Sequence, residues 1–282
     1  MNKVLQRLLV FFLGIPLVIG LVFLPYYHEL PLHLVVLFFS IAGCSELYNM
    51  FSKNSPLLPK YLLLALTGAI PIFVYICICC KLPLNYVSFA FIACILVLLG
   101  YNSFATKTFT HSNTAVSLSI LIIFYTGYLA SFISRMTAYE HAPFYIASFL
   151  FTIFICDSAA WLFGMLFGKN NRGIVAASPN KSIAGFIGGY AGCMVAAVLI
   201  HVLFPEIFPS TVWKQLLSGA LIATAAIVGD LVESVFKRSA GIKDSGTIIL
   251  GRGGALDSID SILFAAPVFY LLLHILYGVQ PL

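Results

Sequence analysis

Long apolar runs constrain this chain more than any other feature of its sequence. Of its 282 residues, 61% are hydrophobic and 9% are charged, and the mean hydropathy is +1.03. These values exclude an ordinary soluble domain. The runs are continuous rather than alternating, which predicts membrane-spanning helices and not a β-barrel. The predicted fold class is therefore all-α, a polytopic integral membrane protein.

The apolar runs predict about nine spans. A total of eight or ten spans also fits the sequence, because several runs are close to the lower length limit of a transmembrane helix. The predicted spans are residues 8–26, 31–49, 61–80, 85–100, 115–134, 143–167, 183–204, 214–229 and 261–279. The first run follows Lys3 and Arg7 but has a long core and no small-residue cleavage site, so we interpret it as a retained helix rather than a signal peptide.

Basic residues predict the orientation of these spans. With the N-terminus inside, twelve Lys and Arg residues fall in inside loops and three fall in outside loops. This distribution follows the positive-inside rule. We therefore expect a multi-pass protein of the inner (cytoplasmic) membrane, with the charged loops 168–182 and 230–260 facing the cytoplasm.

Residues 229–261 are the exception to the apolar composition. They contain five of the ten acidic residues, together with four basic residues and glycine-rich turns. The acids are Asp230, Glu233, Asp244, Asp257 and Asp260, and the bases are Lys237, Arg238, Lys243 and Arg252. Local salt bridges and helix caps account for some of them. So many carboxylates, bases and glycines in one segment favour a metal ion with a bound phosphate, and hard carboxylate oxygens suit Mg²⁺.

The rest of the sequence suggests two halves. Residues 1–142 are N-terminal transmembrane helices with little chemistry, apart from Glu46, which is either a functional group or a residue at the membrane interface. Residues 143–282 form the half that we expect to be catalytic, with Asp157 as an acid at membrane depth.

The stretch Ser178-Pro179-Asn180-Lys181 before the span at 183–204 has two interpretations. Ser178 can cap the following helix, with Pro179 in its first turn. The same stretch can instead present helix N–H groups and Lys181 to a phosphate. The glycines of the next span recur at spacings of three and four, which predicts close helix packing.

The charged segment resembles the signature of the CDP-diacylglycerol synthases, or phosphatidate cytidylyltransferases. That signature has the form S-x-x-K-R-x4-K-D, followed by a glycine-rich turn and D-R-x-D. The corresponding residues here are Ser234, Lys237, Arg238, Lys243, Asp244, Gly251, Gly253, Gly254, Asp257 and Asp260. Asp157, Lys169, Ser178 and Lys181 are similar to a second region of the family, and Glu46 to its acid near the end of the second helix. Three positions depart from the pattern, since Arg252, Ser258 and Ala184 stand where the family usually has His, Arg and Glu.

The resemblance implies an enzyme that transfers CMP from CTP to phosphatidate, giving CDP-diacylglycerol and pyrophosphate. It implies Mg²⁺ bound by Asp230 and Asp257, with a second cation left open. The implied catalytic residues are Asp230, Lys237, Arg238, Lys243, Asp244 and Asp260. The implied substrate-binding residues are Ser178, Lys181, Arg252, Gly253, Gly254 and Asp157. The expected partners are CTP, phosphatidate and membrane lipids, without nucleic acid, and a homodimer is left open.

Other functions stay open from the sequence alone. A polyprenol kinase-like enzyme also handles lipid phosphates in a membrane. A CDP-alcohol phosphotransferase needs a longer aspartate array, which this sequence lacks. A transporter usually places acids at the midplane in both halves, whereas here they are concentrated in one. Because three residues depart from the family pattern, an impaired homologue that binds nucleotide or lipid without turnover also stays open.

Overall fold

The computed structural model describes residues 15–105, 109–249 and 253–280. Its elements in chain order are α1 (Ile15–Val22), α2 (Leu30–Phe51), α3 (Lys60–Cys79), α4 (Tyr86–Ala105), α5 (Ser112–Ile123), a π-helical turn (Phe124–Tyr128), α6 (Leu129–Arg135), a 3-10 turn (Met136–Ala138), α7 (Ala142–Phe167), α8 (Ile183–Leu203), α9 (Val212–Ser239) and α10 (Leu256–Ile275). These described residues contain no β-strand, only two isolated bridge pairs. The predicted all-α fold class is confirmed.

Eight helical segments of the described ranges are long and apolar enough to cross a membrane. They coincide with eight of the predicted spans, when α5 to the 3-10 turn is counted as one segment, Ser112–Ala138. The remaining predicted span, residues 8–26, includes α1, and its first part, residues 8–14, lies outside the described residues. The chain is a multi-pass membrane protein.

The described residues fall into two compact units. The first unit combines the chain up to Thr137 with Ser239–Ile259, and the second combines Ala138–Arg238 with the chain from Asp260 onward. The predicted division into residues 1–142 and 143–282 is based on where the charged and polar motifs occur in the sequence. It stays a prediction.

In the first unit, the π-helical turn packs against α2 and α3. A Cβ at Gly127 would lie 3.1 Å from the Thr67 carbonyl oxygen, so glycine allows this turn to approach α3 closely. The Thr126 hydroxyl donates to the Ile122 carbonyl at 2.7 Å within the same turn. The sequence predicts one uninterrupted span here, because an apolar run does not reveal a local change of helix type.

In the second unit, α7 and α8 are held close by glycines. A Cβ at Gly188 would lie 2.5 Å from the Phe163 Cβ, and one at Gly192 would lie 2.7 Å from the Ala159 Cβ. Neither position has room for a side chain, which explains the glycine spacing in α8. The predicted close packing of this helix is confirmed.

Helix α9 extends ten residues beyond the span predicted to end at 229. The predicted loop 230–260 is therefore helical at both ends, and residues 240–255, here called the motif loop, connect α9 to α10. Apolar periodicity ends at Gly229, but an ion pair between Glu233 and Lys237, one turn apart, supports the added turns. Lys237 and Arg238 also lie in the last turn, where the helix dipole favours cations.

Candidate active site

The second unit brings together acids and bases that are far apart in the sequence, here called the Asp230 cluster. It comprises Asp157, Lys181, Asp230, Glu233, Lys237 and Asp260. Lys181, from the loop before α8, forms an ion pair with Asp230 on α9. Glu233 forms an ion pair with Lys237 one turn further along α9, and its side chain has no exposed surface.

Like charges meet in this cluster. Asp260, at the start of α10, interacts electrostatically with Asp230, Glu233 and Asp157. One of its oxygens accepts the Ser261 N–H at 2.6 Å. A Cβ at Gly229 would lie 2.8 Å from the Asp260 carbonyl oxygen, so glycine permits α9 to approach the start of α10. Carboxylates gathered in this way repel one another unless cations neutralise them, which is a property of sites that bind metal ions or basic groups.

The loop 168–182 is folded against its neighbouring helices in the second unit. Gly173 N–H donates to the Pro179 carbonyl at 3.0 Å and Ile183 N–H donates to the Asn171 carbonyl at 3.1 Å. Arg238 on α9 donates from Nε to the Ala177 carbonyl at 3.1 Å. Arg238, expected to contact phosphate, thus also holds the loop that carries Lys181.

The capping role predicted for Ser178 is wrong. Helix α8 begins at Ile183, and its N-cap is Ser182, whose hydroxyl accepts the Gly185 N–H at 3.0 Å. Ser178 instead lies in a turn, where its N–H donates to the Val175 carbonyl. Both serines precede an apolar run, and the sequence offered no reason to choose the later one.

The first unit contains a second cluster, here called the Glu46 cluster: Glu46, Ser245, Gly254, Ala255, Leu256 and Asp257. Glu46 lies near the end of α2 and is 5% exposed. Its two oxygens accept the N–H groups of Ala255 and Leu256, each at 2.9 Å. The Ser245 hydroxyl lies 2.9 Å from Glu46 Oε2. Glu46 is therefore buried and fully engaged in hydrogen bonds to the segment that leads into α10.

Asp257 is held firmly in the same cluster. Its Oδ2 accepts the N–H of Ser245 at 2.8 Å and the N–H of Gly254 at 2.7 Å, and it lies 2.9 Å from the Ser245 hydroxyl oxygen. Gly253 has a φ of +112°, a conformation that favours glycine, and a Cβ there would lie 2.6 Å from Asp257 Oδ2. In the structure, the backbone at Gly253 closely approaches an aspartate of the chain itself, and the substrate-binding role implied for Gly253 and Gly254 stays a prediction.

The predicted site residues divide between the two units. The second unit contains Asp157, Ser178, Lys181, Asp230, Lys237, Arg238 and Asp260, and the first contains Lys243, Asp244, Gly253, Gly254 and Asp257. Lys243 and Asp244 are exposed. Arg252 lies outside the described residues. Of the other departures from the family pattern, Ser258 donates its hydroxyl hydrogen to the Gly254 carbonyl at 3.3 Å, and Ala184 N–H donates to the Asn171 side-chain oxygen at 3.4 Å.

Comparison with known proteins assigns the chain to a family. A sequence profile described as the cytidylyltransferase family matches residues 5–276. The chain belongs to the cytidylyltransferase family. Its membership confirms the resemblance carried by the charged segment.

Two staphylococcal proteins are among the curated relatives that this chain resembles. The phosphatidate cytidylyltransferase of Staphylococcus haemolyticus is 34% identical over 182 residues, which cover 64% of this chain and 67% of the relative. The protein of the same name from Staphylococcus aureus strain COL is 35% identical over 182 residues, with the same coverage of both chains.

The donor chemistry of the two clusters fits a hard cation such as Mg²⁺. Within the ranges 15–105, 109–249 and 253–280, no three His, Cys, Asp or Glu side chains form a metal-binding group by themselves. Enzymes that bind nucleotides usually hold Mg²⁺ with one or two carboxylates and complete its coordination with phosphate and water. Asp230 and Asp260 in the second unit and Asp257 in the first offer such carboxylates. Their assignment to a metal stays a prediction.

Proposed function

We propose that this chain is a phosphatidate cytidylyltransferase, which transfers CMP from CTP to phosphatidate and releases pyrophosphate. The observation that carries the proposal is the Asp230 cluster, in which acids and bases from the loop before α8, from α9 and from α10 meet in a membrane protein of this family. Intramembrane ionisable residues are expensive and usually functional.

The reaction requires two anions to approach each other. A phosphatidate oxygen forms a bond to the α-phosphorus of CTP, and the bond from that phosphorus to the oxygen bridging to the β-phosphate breaks. The bonding electron pair leaves with pyrophosphate. The attacking oxygen is already anionic, so the protein has little proton transfer to perform and contributes mainly position and charge neutralisation.

Each charged residue has a proposed part in that neutralisation. Asp230 in the second unit and Asp257 in the first would each serve as a carboxylate ligand for Mg²⁺, which would supply positive charge to nucleotide phosphates. Lys181 and Lys237 bind phosphate oxygens, and Lys181 turns from Asp230 to a phosphate when the nucleotide binds. Asp260 and Asp244 support the metal carboxylates, while Arg238, at the end of α9, and Lys243, near the beginning of the motif loop, bind phosphates.

The membrane setting agrees with a lipid substrate. The two acyl chains of phosphatidate stay in the bilayer, while CTP arrives from water. We propose that the loops 168–182 and 240–255 face the cytoplasm of a bacterial inner membrane, because CTP is a cytoplasmic metabolite and basic residues favour that side. Homodimer formation stays open.

An experiment with two labelled nucleotides tests the proposal. Purified protein in detergent is incubated with phosphatidate, Mg²⁺ and CTP labelled on either the α- or the γ-phosphate. We expect the α-label in a phosphatidate-dependent lipid product and the γ-label in pyrophosphate, with both reactions stopped by EDTA and restored by Mg²⁺. Lipid labelled from the γ-phosphate would indicate a kinase instead, and absence of any lipid product would contradict the proposed activity.

A further inference from the structure

The Glu46 carboxylate joins α2 to Ser245 and to the end of the motif loop in the first unit. Glu46 accepts hydrogen bonds from the N–H groups of Ala255 and Leu256, which lie at the start of α10. Such N–H groups have no acceptor within their own helix, and a negative charge beside them is favoured by the helix dipole. Glu46 therefore caps α10 from a segment about two hundred residues away in the sequence.

Two glycines of the motif loop leave the space that Glu46 occupies. A Cβ at Gly246 would lie 2.9 Å from the Glu46 Cδ, and one at Gly254 would lie 2.7 Å from it. Both distances are too short for a real side chain. In the described part of the chain, the hydrogen-bond donors to Glu46 are neutral, and neither of the ion pairs involves it. A buried carboxylate is costly to hold without a cation, so its hydrogen bonds must be well formed.

Ser245 connects Glu46 to Asp257. Its hydroxyl oxygen lies 2.9 Å from both carboxylates. A hydroxyl has a single hydrogen, so it donates to one carboxylate at a time while its oxygen stays in contact with the other. Ser245 is 9% exposed, so water cannot easily replace either contact. The position of Asp257 thus depends on Ser245, and the position of Ser245 depends on Glu46.

We propose that Glu46 is a positioning residue, which fixes the motif loop and the first turn of α10 in one arrangement and so sets the position of the Asp257 carboxylate. It does not touch the reacting atoms. Its effect on catalysis rests on the proposed function, because Asp257 matters only if it holds the cation that neutralises the nucleotide. The effect on the motif loop itself does not depend on that function.

Hydrogen–deuterium exchange of the full chain in detergent tests the positioning directly. Glu46→Gln keeps the side-chain volume but replaces one acceptor oxygen with a donor, so at least one N–H at the start of α10 loses its partner. We expect exchange in peptides covering residues 243–257 to accelerate by roughly ten-fold. Ser119→Ala is the matched control, because it removes another buried hydrogen bond of the first unit, to the Leu58 N–H, without touching the motif loop. Unchanged exchange at 243–257 in Glu46→Gln, or the same acceleration in Ser119→Ala, would overturn the proposal.

Activity and nucleotide binding give a second readout. Glu46→Gln should raise the Mg²⁺ concentration needed for half-maximal rate by about ten-fold and weaken CTP binding without phosphatidate, whereas Ser119→Ala should change neither. If Glu46→Gln does not fold, Ser245→Ala replaces it, because it breaks the same connection and leaves the two N–H caps in place. Normal Mg²⁺ dependence in Ser245→Ala then contradicts the proposal. If the wild-type protein has no transferase activity, that result contradicts the proposed function alone, because the exchange experiment still tests the positioning role of Glu46.

Discussion

Lys181 and Asp230 form an ion pair in the structure, and the proposed function gives each of them a second partner, a phosphate for Lys181 and a cation for Asp230. Their ion pair is half-buried, with 23% and 36% of the two side chains exposed. A pair exposed to this extent adds little to stability. Under the proposed function, the pair holds a base and an acid in place for a phosphate and a cation.

Removing the Asp230 charge should abolish turnover and leave the protein folded. We expect Asp230→Asn to reduce the initial rate by at least about a hundred-fold, because a neutral amide cannot hold a cation between two phosphates. Glu206→Gln changes an exposed acid of the same unit and should keep the wild-type rate. Near-normal turnover in Asp230→Asn at an ordinary Mg²⁺ concentration would show that Asp230 does not hold the metal ion. If gel filtration shows that Asp230→Asn is misfolded, Lys181→Gln is measured in its place.

The ion pair of Glu233 and Lys237 should behave differently, because it is buried. Glu233 has no exposed side-chain surface, and 13% of the Lys237 side chain is exposed. Glu233→Ala removes the ion-pair partner of a largely buried ammonium group, so it should destabilise the protein by about 3–5 kcal/mol. Thermal unfolding in detergent measures the effect. The double variant Glu233→Met with Lys237→Met should recover much of the loss, and an equal loss in both variants would show that packing and not charge is responsible.

At the scale of elements, the packing of α7 on α8 depends on the absence of side chains. Gly188→Ala would place a Cβ 2.8 Å from the Ala159 carbonyl oxygen, so the helices must separate. We expect a loss of about 1–3 kcal/mol in stability, measured by thermal unfolding. Gly100→Ala is the matched control, because a Cβ on Gly100 in α4 meets nothing within 4 Å. Equal unfolding temperatures for Gly188→Ala and wild type would contradict this description of the interface.

The elements also show where sequence reasoning succeeds and fails. Apolar runs predict the membrane helices, because burial in lipid needs a fixed length of apolar chain. They do not predict the last ten residues of α9, because this part of the helix is stabilised by the ion pair between Glu233 and Lys237 rather than by apolar burial. They also miss the N-cap Ser182, because two serines, Ser178 and Ser182, precede α8 and the choice between them depends on how the loop folds back through Asn171.

At the scale of the whole molecule, the sequence predicted which residues belong to the candidate site but not which of them contact one another. Spacing and resemblance indicated Asp230, Lys237 and Asp257, because their types suit metal and phosphate. The partners of these residues were not predictable, since Lys181 reaches Asp230 and Glu46 reaches Ser245 across long stretches of sequence. An acid in an apolar helix was the available signal for Glu46, and it indicates importance without naming a partner.

The orientation of the whole chain in the membrane gives the last prediction. Positive-inside bias places the loop after α7 and the motif loop on the cytoplasmic side, and the connection after the 3-10 turn on the opposite side. Asn170, Thr247 and Glu140 are exposed positions in these three segments. Ser245 is unsuitable for labelling, because it is buried in the Glu46 cluster.

Single cysteines at these positions test the orientation. The exposed native residues Cys79 and Cys80 are first changed to serine. A membrane-impermeant thiol reagent applied to intact cells should then label Glu140→Cys and leave Asn170→Cys and Thr247→Cys unlabelled, while inverted vesicles should give the reverse pattern. Retained transferase activity in each variant shows that the labelled protein is native. Labelling of Asn170→Cys or Thr247→Cys from outside intact cells would place the nucleotide site on the side of the membrane where CTP is absent, and the proposed topology would be wrong.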